Sequence, residues 1–328
     1  VIAMPDPSRR ARLLALKLAS LARDNGGPTD VVPHEYGGGA AFIADGDAWV
    51  LLDGDARRGL GPAVAWSLRR GVAHLHLLAE SGSGVLARRA PAFRLPITVW
   101  HVEDRTLLPA VAEPLPEPAD VPPEHDALRG LIVAAGATPV VEHGVLAGEV
   151  DGLEVCRAVT DPLTGVARLE VGVGAHDREA FQMLHGDRTT VEALADVVSS
   201  VRTHRCPGAA PHPLNLLARE RALRDRLVAE PGLIGAAQVV AAQPPTPRAN
   251  VKDAVPCVAV ADLAGGARAA VVCAVGVDLD VVPTAVDVRA ATGLDDCVVV
   301  LPGRDAIPVQ HLLAAALHVP VRVVAVQP

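Results

Sequence analysis

A chain of 328 residues, half of them hydrophobic, has the length for two or three domains at about 100–200 residues each, and it excludes disorder for most of its course. Only 2% of the residues are aromatic, against 29 Gly and 28 Pro, so the cores are built from Val, Leu and Ala, with few flat platforms for stacking nucleic-acid bases. The formal net charge of -8 gathers after residue 112, where 27 acidic side chains face 17 basic ones, and such an acidic body argues against a sequence-independent grip on nucleic acid.

Ser8 is placed to cap a helix whose leucines at 13, 14, 16, 18 and 21 form an apolar stripe that stops at Gly26-Gly27. Residues 40–44 and 49–52 flank Asp45-Gly46, a strong hairpin signal. Pro62 opens a helix to about residue 70, followed by a strand at 73–79, a helix near 85–93 and a strand at 97–102. Segment 109–124 alternates six prolines with Ala and acidic residues and reads as an extended linker. A helix is expected before Glu142. A hairpin then pairs 152–160 with 166–173 around Asp161-Pro162-Leu163-Thr164-Gly165.

A helix at about 177–184 comes next, then one opening with a capping box at Thr189-Thr190-Val191-Glu192 and lined on one face by Val191, Leu194, Val197, Val198 and Val201. Segment 214–229, laced with Arg219, Glu220, Arg221, Arg224, Asp225 and Arg226, reads as a solvated helix with i,i+4 pairs such as Glu220 to Arg224. The last block has strands at 258–261 and 269–275, a helix from Pro283, a strand at 297–301, a helix at 309–318 and a strand at 321–326.

The expected fold class is α/β. Two similar terminal units, each a hairpin, helix, strand, helix and strand around a mixed sheet, flank a central hairpin-plus-helices unit. Matched elements recur at near-constant separation, which reads as an internal structural repeat. The boundaries are 1–108 for the N-terminal unit, 109–124 for the linker, 125–206 for the central unit and 207–328 for a helix plus the C-terminal unit.

In the central hairpin, alternation puts Leu153, Val155 and Val159 with Leu169, Val171 and Val173 on a buried face that Arg157 interrupts, and Glu154 and Cys156 with Glu170, Gly172 and Gly174 on the other. Carboxylates so placed repel unless solvent, an arginine or a cation separates them, and Glu142 offers a third donor for a hard divalent ion. The following His176-Asp177-Arg178-Glu179 supplies either a metal ligand in Asp177 and a base in His176, or a helix cap in Asp177 and a partner for Glu154 or Glu170 in Arg178. His74 and His76 share one strand face, and His101 joins them if the strand at 97–102 lies adjacent; three imidazoles suit zinc, while histidines on a sheet rim are the plainer reading. Asp53-Gly54 to Gly61-Pro62 joins a strand to a helix but carries neither G-x-G-x-x-G nor the Walker sequence with its lysine. Cysteines at 156, 206, 257, 273 and 297 form no C-x-x-C pair and show no nucleophile signature. With no signal-like stretch and no apolar run of about 18 residues, the expectation is a reduced cytoplasmic protein that neither enters nor spans a membrane.

A helix carrying an acid, then a hairpin with one acid on each strand, then a helix and further strands, resembles the PD-(D/E)XK nuclease core, the restriction-endonuclease-like fold. On that resemblance Glu142 matches the helix acid, Glu154 the second-strand acid, and Glu170-Val171-Gly172 the third-strand E-x-K over a span of 125–205. Gly172 stands where the family's lysine positions the attacking water and steadies the phosphate. Asp53 and the pair Asp278 and Asp280 in the terminal blocks likewise lack a lysine. The resemblance therefore implies a degenerate, non-cleaving relative, a cytoplasmic protein that binds a protein partner or a second copy of itself and needs no cofactor. The alternative is a Mg- or Mn-dependent nuclease or phosphoester hydrolase, with Glu142, Glu154, Glu170 and Asp177 on the metal and Glu154, Glu170 and His176 in catalysis.

Overall fold

The computed structural model describes residues 7–174, 177–178, 189–206, 208–246 and 255–327, and the chain is mixed α/β. Short glycine turns set the antiparallel part of the fold. Asp45-Gly46 (φ 53° and 86°), His143-Gly144 (51° and 73°) and Asp151-Gly152 (47° and 75°) each hold two residues in the left-handed region, the mirror-type turn whose twist matches that of the strands it joins. The chain forms two compact units, one of Val1–Leu115, Val277–Asp287 and Ala306–Val323, the other of Pro116–Gly276, Val288–Asp305 and Val324–Pro328. The C-terminal block thus contributes to both.

In the first unit α1 (Pro7–Asp24) precedes β1 (Pro33–His34), β2 (Gly39–Ala44), β3 (Asp47–Leu52), α2 (Leu60–Leu68), β4 (His74–Ala79), α3 (Ser83–Arg89), β5 (Ile97–Glu103) and β6 (Thr106–Pro109). The six strands lie side by side in sequence order. β3, β4 and β5 run parallel, and the flanking pairs are antiparallel. α1 lays Leu18, Leu21 and Ala22 on Phe42, Trp49, Leu51, Leu78, Val102 and Leu107, with Trp100 partly buried against them, so that two of the chain's three tryptophans lie here. Strand β6 lay outside the expected elements; Asp104, with φ 52°, makes the turn that starts it.

The second unit begins with α4 (Pro123–Asp126) and α5 (Arg129–Ala134), then β7 (Thr138–Glu142), β8 (Val145–Val150), β9 (Leu153–Thr160) and β10 (Ala167–Val171), an antiparallel sheet in the order β10-β9-β8-β7. Glu142 therefore ends a strand and not a helix. Gly136 (φ 85°) stops α5, and Thr138 to Val141 is rich in β-branched residues. α6 (Thr190–Arg205) starts where the capping box was expected, with Thr189 Oγ1 accepting from the Glu192 amide and donating to its carboxylate at 2.7 Å. Its Leu194, Val198 and Val201 pack with Ile132 of α5 on Leu146, Val150, Leu153, Cys156, Leu169 and Val171. The helix expected at 177–184 lies mostly outside the described residues.

α7 (Arg219–Ala229) is followed by β11 (Ala236–Ala242), β12 (Cys257–Leu263), β13 (Arg268–Cys273), α8 (Val281–Thr292), β14 (Cys297–Pro302), α9 (Pro308–Ala315) and β15 (Arg322–Val326), whose strands form a third sheet in sequence order. Here too an antiparallel pair, β12 and β13, leads into a parallel one, β13 and β14. The segment Val277–Asp287 that belongs to the first unit is fastened there: Gly61 N donates to Asp280, just before α8, at 3.0 Å, and Arg88 and Arg89 both pair with Asp287 of α8. α7 is not the solvated helix its charges suggest. Arg224 is 1% exposed and Arg221 7%, while Leu223 and Leu227 enter the apolar cluster of the third sheet with Ala259, Val271 and Val300. Among the described residues no helix is long and apolar enough to cross a membrane.

Gly152 meets the backbone of α7. A Cβ there would lie 2.3 Å from the carbonyl carbon of Arg221, at a φ of 75° that already disfavours a side chain. Gly152→Ala is expected to cost about 2 kcal/mol or more, read as a lowered denaturant midpoint. An unchanged midpoint would contradict this close approach.

Candidate functional site

The strand register decides which acids meet. Across β9 and β10, Leu169 pairs with Ala158, Glu170 with Arg157 and Val171 with Cys156. Cys156 therefore shares the apolar face with Val171 and not the acidic face expected for it, and Val159 opposes Arg168. Simple alternation would carry Glu154 to the apolar face with Cys156. Between β8 and β9, however, the pairing steps from Gly148–Cys156 to Glu149–Glu154 and leaves Val155 as an extra residue. This bulge turns Glu154 onto the face of Glu149, Arg157 and Glu170. Pairing of Val140 with Ala147 and of Glu142 with Val145 adds Glu142 to that face.

The structure thus gathers Glu142, Glu154 and Glu170, together with Glu149, which sequence reasoning missed. It gathers arginines with them. Arg224 reaches Glu142 at 2.6 Å and Glu149 at 2.8 Å. Arg221 hydrogen-bonds Glu142 and lies 3.3 Å from Glu149 and 3.6 Å from Glu154. Glu154 also accepts from Arg157 at 2.6 Å and from Arg178 at 3.2 Å, and Glu170 from Arg168 at 3.1 Å, with Arg178 at 3.8 Å. Burial works to raise the Glu142 pKa, but Arg221 and Arg224 outweigh it and leave the carboxyl below its ordinary range. For Glu149, wholly enclosed, burial wins and the pKa is raised despite the same two arginines.

Asp177 is exposed, and its neighbour Arg178 makes the contacts to the acids; His176 lies outside the described residues. At Gly172 the φ is 137° and a Cβ would sit 2.9 Å from the Arg178 amide, so the motif's lysine position has no room for a side chain. The other acids noted in the sequence are paired as well. Asp53 takes a two-pronged contact from Arg10 at 2.7 and 2.8 Å, and Asp278 is bound by Arg58 at 2.7 Å. Asp280 is buried, and burial pushes its pKa up to about 7 against the hydrogen bond from Gly61. Burial likewise raises Cys156 and Cys297 to about 12, so neither is a ready thiolate.

A different group forms in the first unit. The Asp45-Gly46 turn starts β3 at Asp47, the Ala73 amide donates to Gly46 O at 2.8 Å, and the register sets Asp47 beside His74 and Trp49 beside His76. One ligand atom from each of Asp47, His74 and His76 lies within 4.8 Å of the others. Among the described residues, no such group of three includes the acids of the second sheet. His101 does not join: it pairs with Ala79 while His76 pairs with Thr98, so it faces the other side and meets Ser83 Oγ at 3.2 Å. Asp47 takes its place, a residue that only the parallel register reveals.

Around the group, Thr98 Oγ1 lies 2.9 Å from His74 Nε2, and the Trp100 indole N–H donates to His76 Nδ1 at 3.2 Å. The His76 ring stacks on Trp49 at 4.1 Å between centroids. Burial first, then His74, lowers the His76 pKa, with Asp47 opposing them. The cluster sits at the amino ends of β3 and β4, whereas ligand crevices of open parallel sheets lie at the carboxyl ends. No family model, no curated protein and no solved structure matches the chain.

Arg224→Met removes the charge that faces two buried carboxylates and is expected to cost about 3–5 kcal/mol of unfolding free energy. Adding Glu149→Leu should recover part of that loss, and independent, additive losses would show that the two are not coupled. Asp280 gives a pH-dependent outcome. An acid whose folded pKa is raised loses stability as the pH climbs from its unfolded value of 3.8 to about 7. Asp280→Asn, which keeps the acceptor for Gly61, should flatten that window and be the more stable protein above pH 7, by up to about 4 kcal/mol in denaturation curves.

Proposed function

We propose that this chain is a non-catalytic α/β protein that works by binding a protein partner or a second copy of itself, and that its nuclease-like acidic face serves to hold the fold. One observation carries the reading: all four carboxylates of that face are engaged by guanidinium groups, two of them from the buried side of α7. Metal-dependent phosphoester hydrolysis needs carboxylate oxygens open to a divalent ion, and a water aimed at phosphorus. Arginines hold the positive charge that a metal would otherwise bring. The glycine at 172, with no space for a lysine, supports the same reading. Five free cysteines, four of them buried, suit the reducing cytoplasm.

The test is incubation of the full chain with single- and double-stranded DNA and RNA in Mg²⁺ or Mn²⁺, with Glu170→Gln alongside. Equal, background cleavage by both is the expected result. Metal-dependent cleavage that disappears in Glu170→Gln would overturn the reading in favour of the hydrolase. Sedimentation at micromolar concentration then addresses the binding role: a mass above 33.9 kDa supports self-association, and a strict monomer that retrieves no partner from lysate counts against binding.

A further inference from the structure

We propose that Asp47, His74 and His76 form a site for one first-row divalent transition-metal ion of the Zn²⁺ class, and that Trp100 opposes its binding by holding His76 in the wrong tautomer. The site is independent of the non-catalytic reading above and concerns the other unit.

The donor set is two imidazoles and one carboxylate, the borderline nitrogen and oxygen ligands that Zn²⁺ and its neighbours take and that Mg²⁺ or Ca²⁺, which need more oxygens, do not. Three protein ligands leave a fourth position for water. Donors bound to one tetrahedral zinc at its usual bond lengths are about 3.3 Å apart. His76 Nε2 and Asp47 Oδ2 are already 3.7 Å apart, and all three donors fall within 4.8 Å. The remaining contraction, about 1.5 Å at most, is within reach of side-chain rotation at partly exposed strand ends.

The surroundings orient these ligands unequally. Thr98 Oγ1, at 2.9 Å, can accept from His74 Nε2–H, which leaves His74 Nδ1 as the free donor; a hydroxyl or carbonyl behind a ligating histidine is the usual second support of such a ring. His76 differs. An indole N–H can only donate, so the Trp100 bond makes His76 Nδ1 an acceptor and puts the proton of the neutral ring on Nε2, the nitrogen that faces Asp47. A metal on Nε2 displaces that proton, and a neutral ligating imidazole then carries its proton on Nδ1, where it meets the indole N–H donor to donor. Binding therefore costs the Trp100 hydrogen bond. Removing the donor while keeping an aromatic ring should favour the metal.

The experiment is calorimetric titration of Zn²⁺ into chelator-stripped full chain without a polyhistidine tag, with thermal unfolding of each variant to show that it is folded. One equivalent of Zn²⁺ is expected to bind and to raise the melting temperature, and Mg²⁺ is expected to do neither. His74→Gln and Asp47→Asn, both partly exposed, should each weaken binding by at least about 10–100-fold, the loss that removing even an outer-shell support of a ligand brings. Trp100→Phe should tighten it by about fivefold, the worth of one hydrogen bond. No Zn²⁺ binding, or binding indifferent to His74→Gln and Asp47→Asn, overturns the site. Mg²⁺ binding of equal strength overturns the metal class, and unchanged or weaker binding in a folded Trp100→Phe overturns the role given to Trp100.

Discussion

Two arginines three residues apart on one helix, Arg221 and Arg224, set the arrangement of the second unit. Removing a guanidinium and a carboxylate from water is costly, and their attraction repays it only when geometry and hydrogen bonding are good. Here each arginine serves more than one acid, and Glu142 and Glu149 each meet both arginines. An adjoining flank of the same helix carries Leu223 and Leu227 into the apolar cluster of the third sheet. One element is therefore held by charge on one flank and by hydrophobic packing on the next. Neither contact tolerates much displacement, because a shift that uncovers the leucines also strands a buried charge.

The backbone details follow from that requirement. The bulge at Val155 is what brings Glu154 round to Arg221, Arg157 and Arg178, and the absence of a side chain at Gly152 is what lets the β8–β9 turn touch α7. Arg205 ties the same turn down by donating to Asp151 O at 2.9 Å and to Leu217 O at 3.0 Å. Of the chain's 30 basic residues 28 are arginine, and the guanidinium groups named here bridge acids and carbonyls inside the protein, which gives that bias a structural use. In the first unit the chemistry differs, with a row of aromatic rings, Phe42, Trp49, His76 and Trp100, crossing four adjacent strands. Phe42, Trp49 and Trp100 of that row lie at the face that α1 covers.

Much of the secondary structure was readable from local signals. Asp45-Gly46 marked its hairpin because both residues tolerate the left-handed backbone, and Thr189 with Glu192 marked the start of α6 because the cap is a contact between near neighbours. The hairpin of β8 and β9 is not among the expected elements although its turn, Asp151-Gly152, carries the same signal as Asp45-Gly46, and neither is that of β7 and β8, turned by His143-Gly144. The latter turn has a weaker signal. The candidate sites were less legible. Alternation assigned Glu154 to the correct companions while misplacing Cys156, since a bulge changes parity at one position and leaves no mark in the composition. The burial of α7 was hidden by its charges, which read as solvated until their partners on another sheet are known.

By itself the sequence determined the alternation of helices and strands, the turns, the caps, the scarcity of aromatics and the missing lysine, all properties carried by residues close together in the chain. Tertiary structure decided which charges are buried, which faces the acids share, and that Asp47 and not His101 stands beside His74 and His76. The reason is the same in each case: strand register and helix docking join residues that are distant along the chain, and the free energy of a carboxylate, an arginine or an imidazole depends on the partner it finds there.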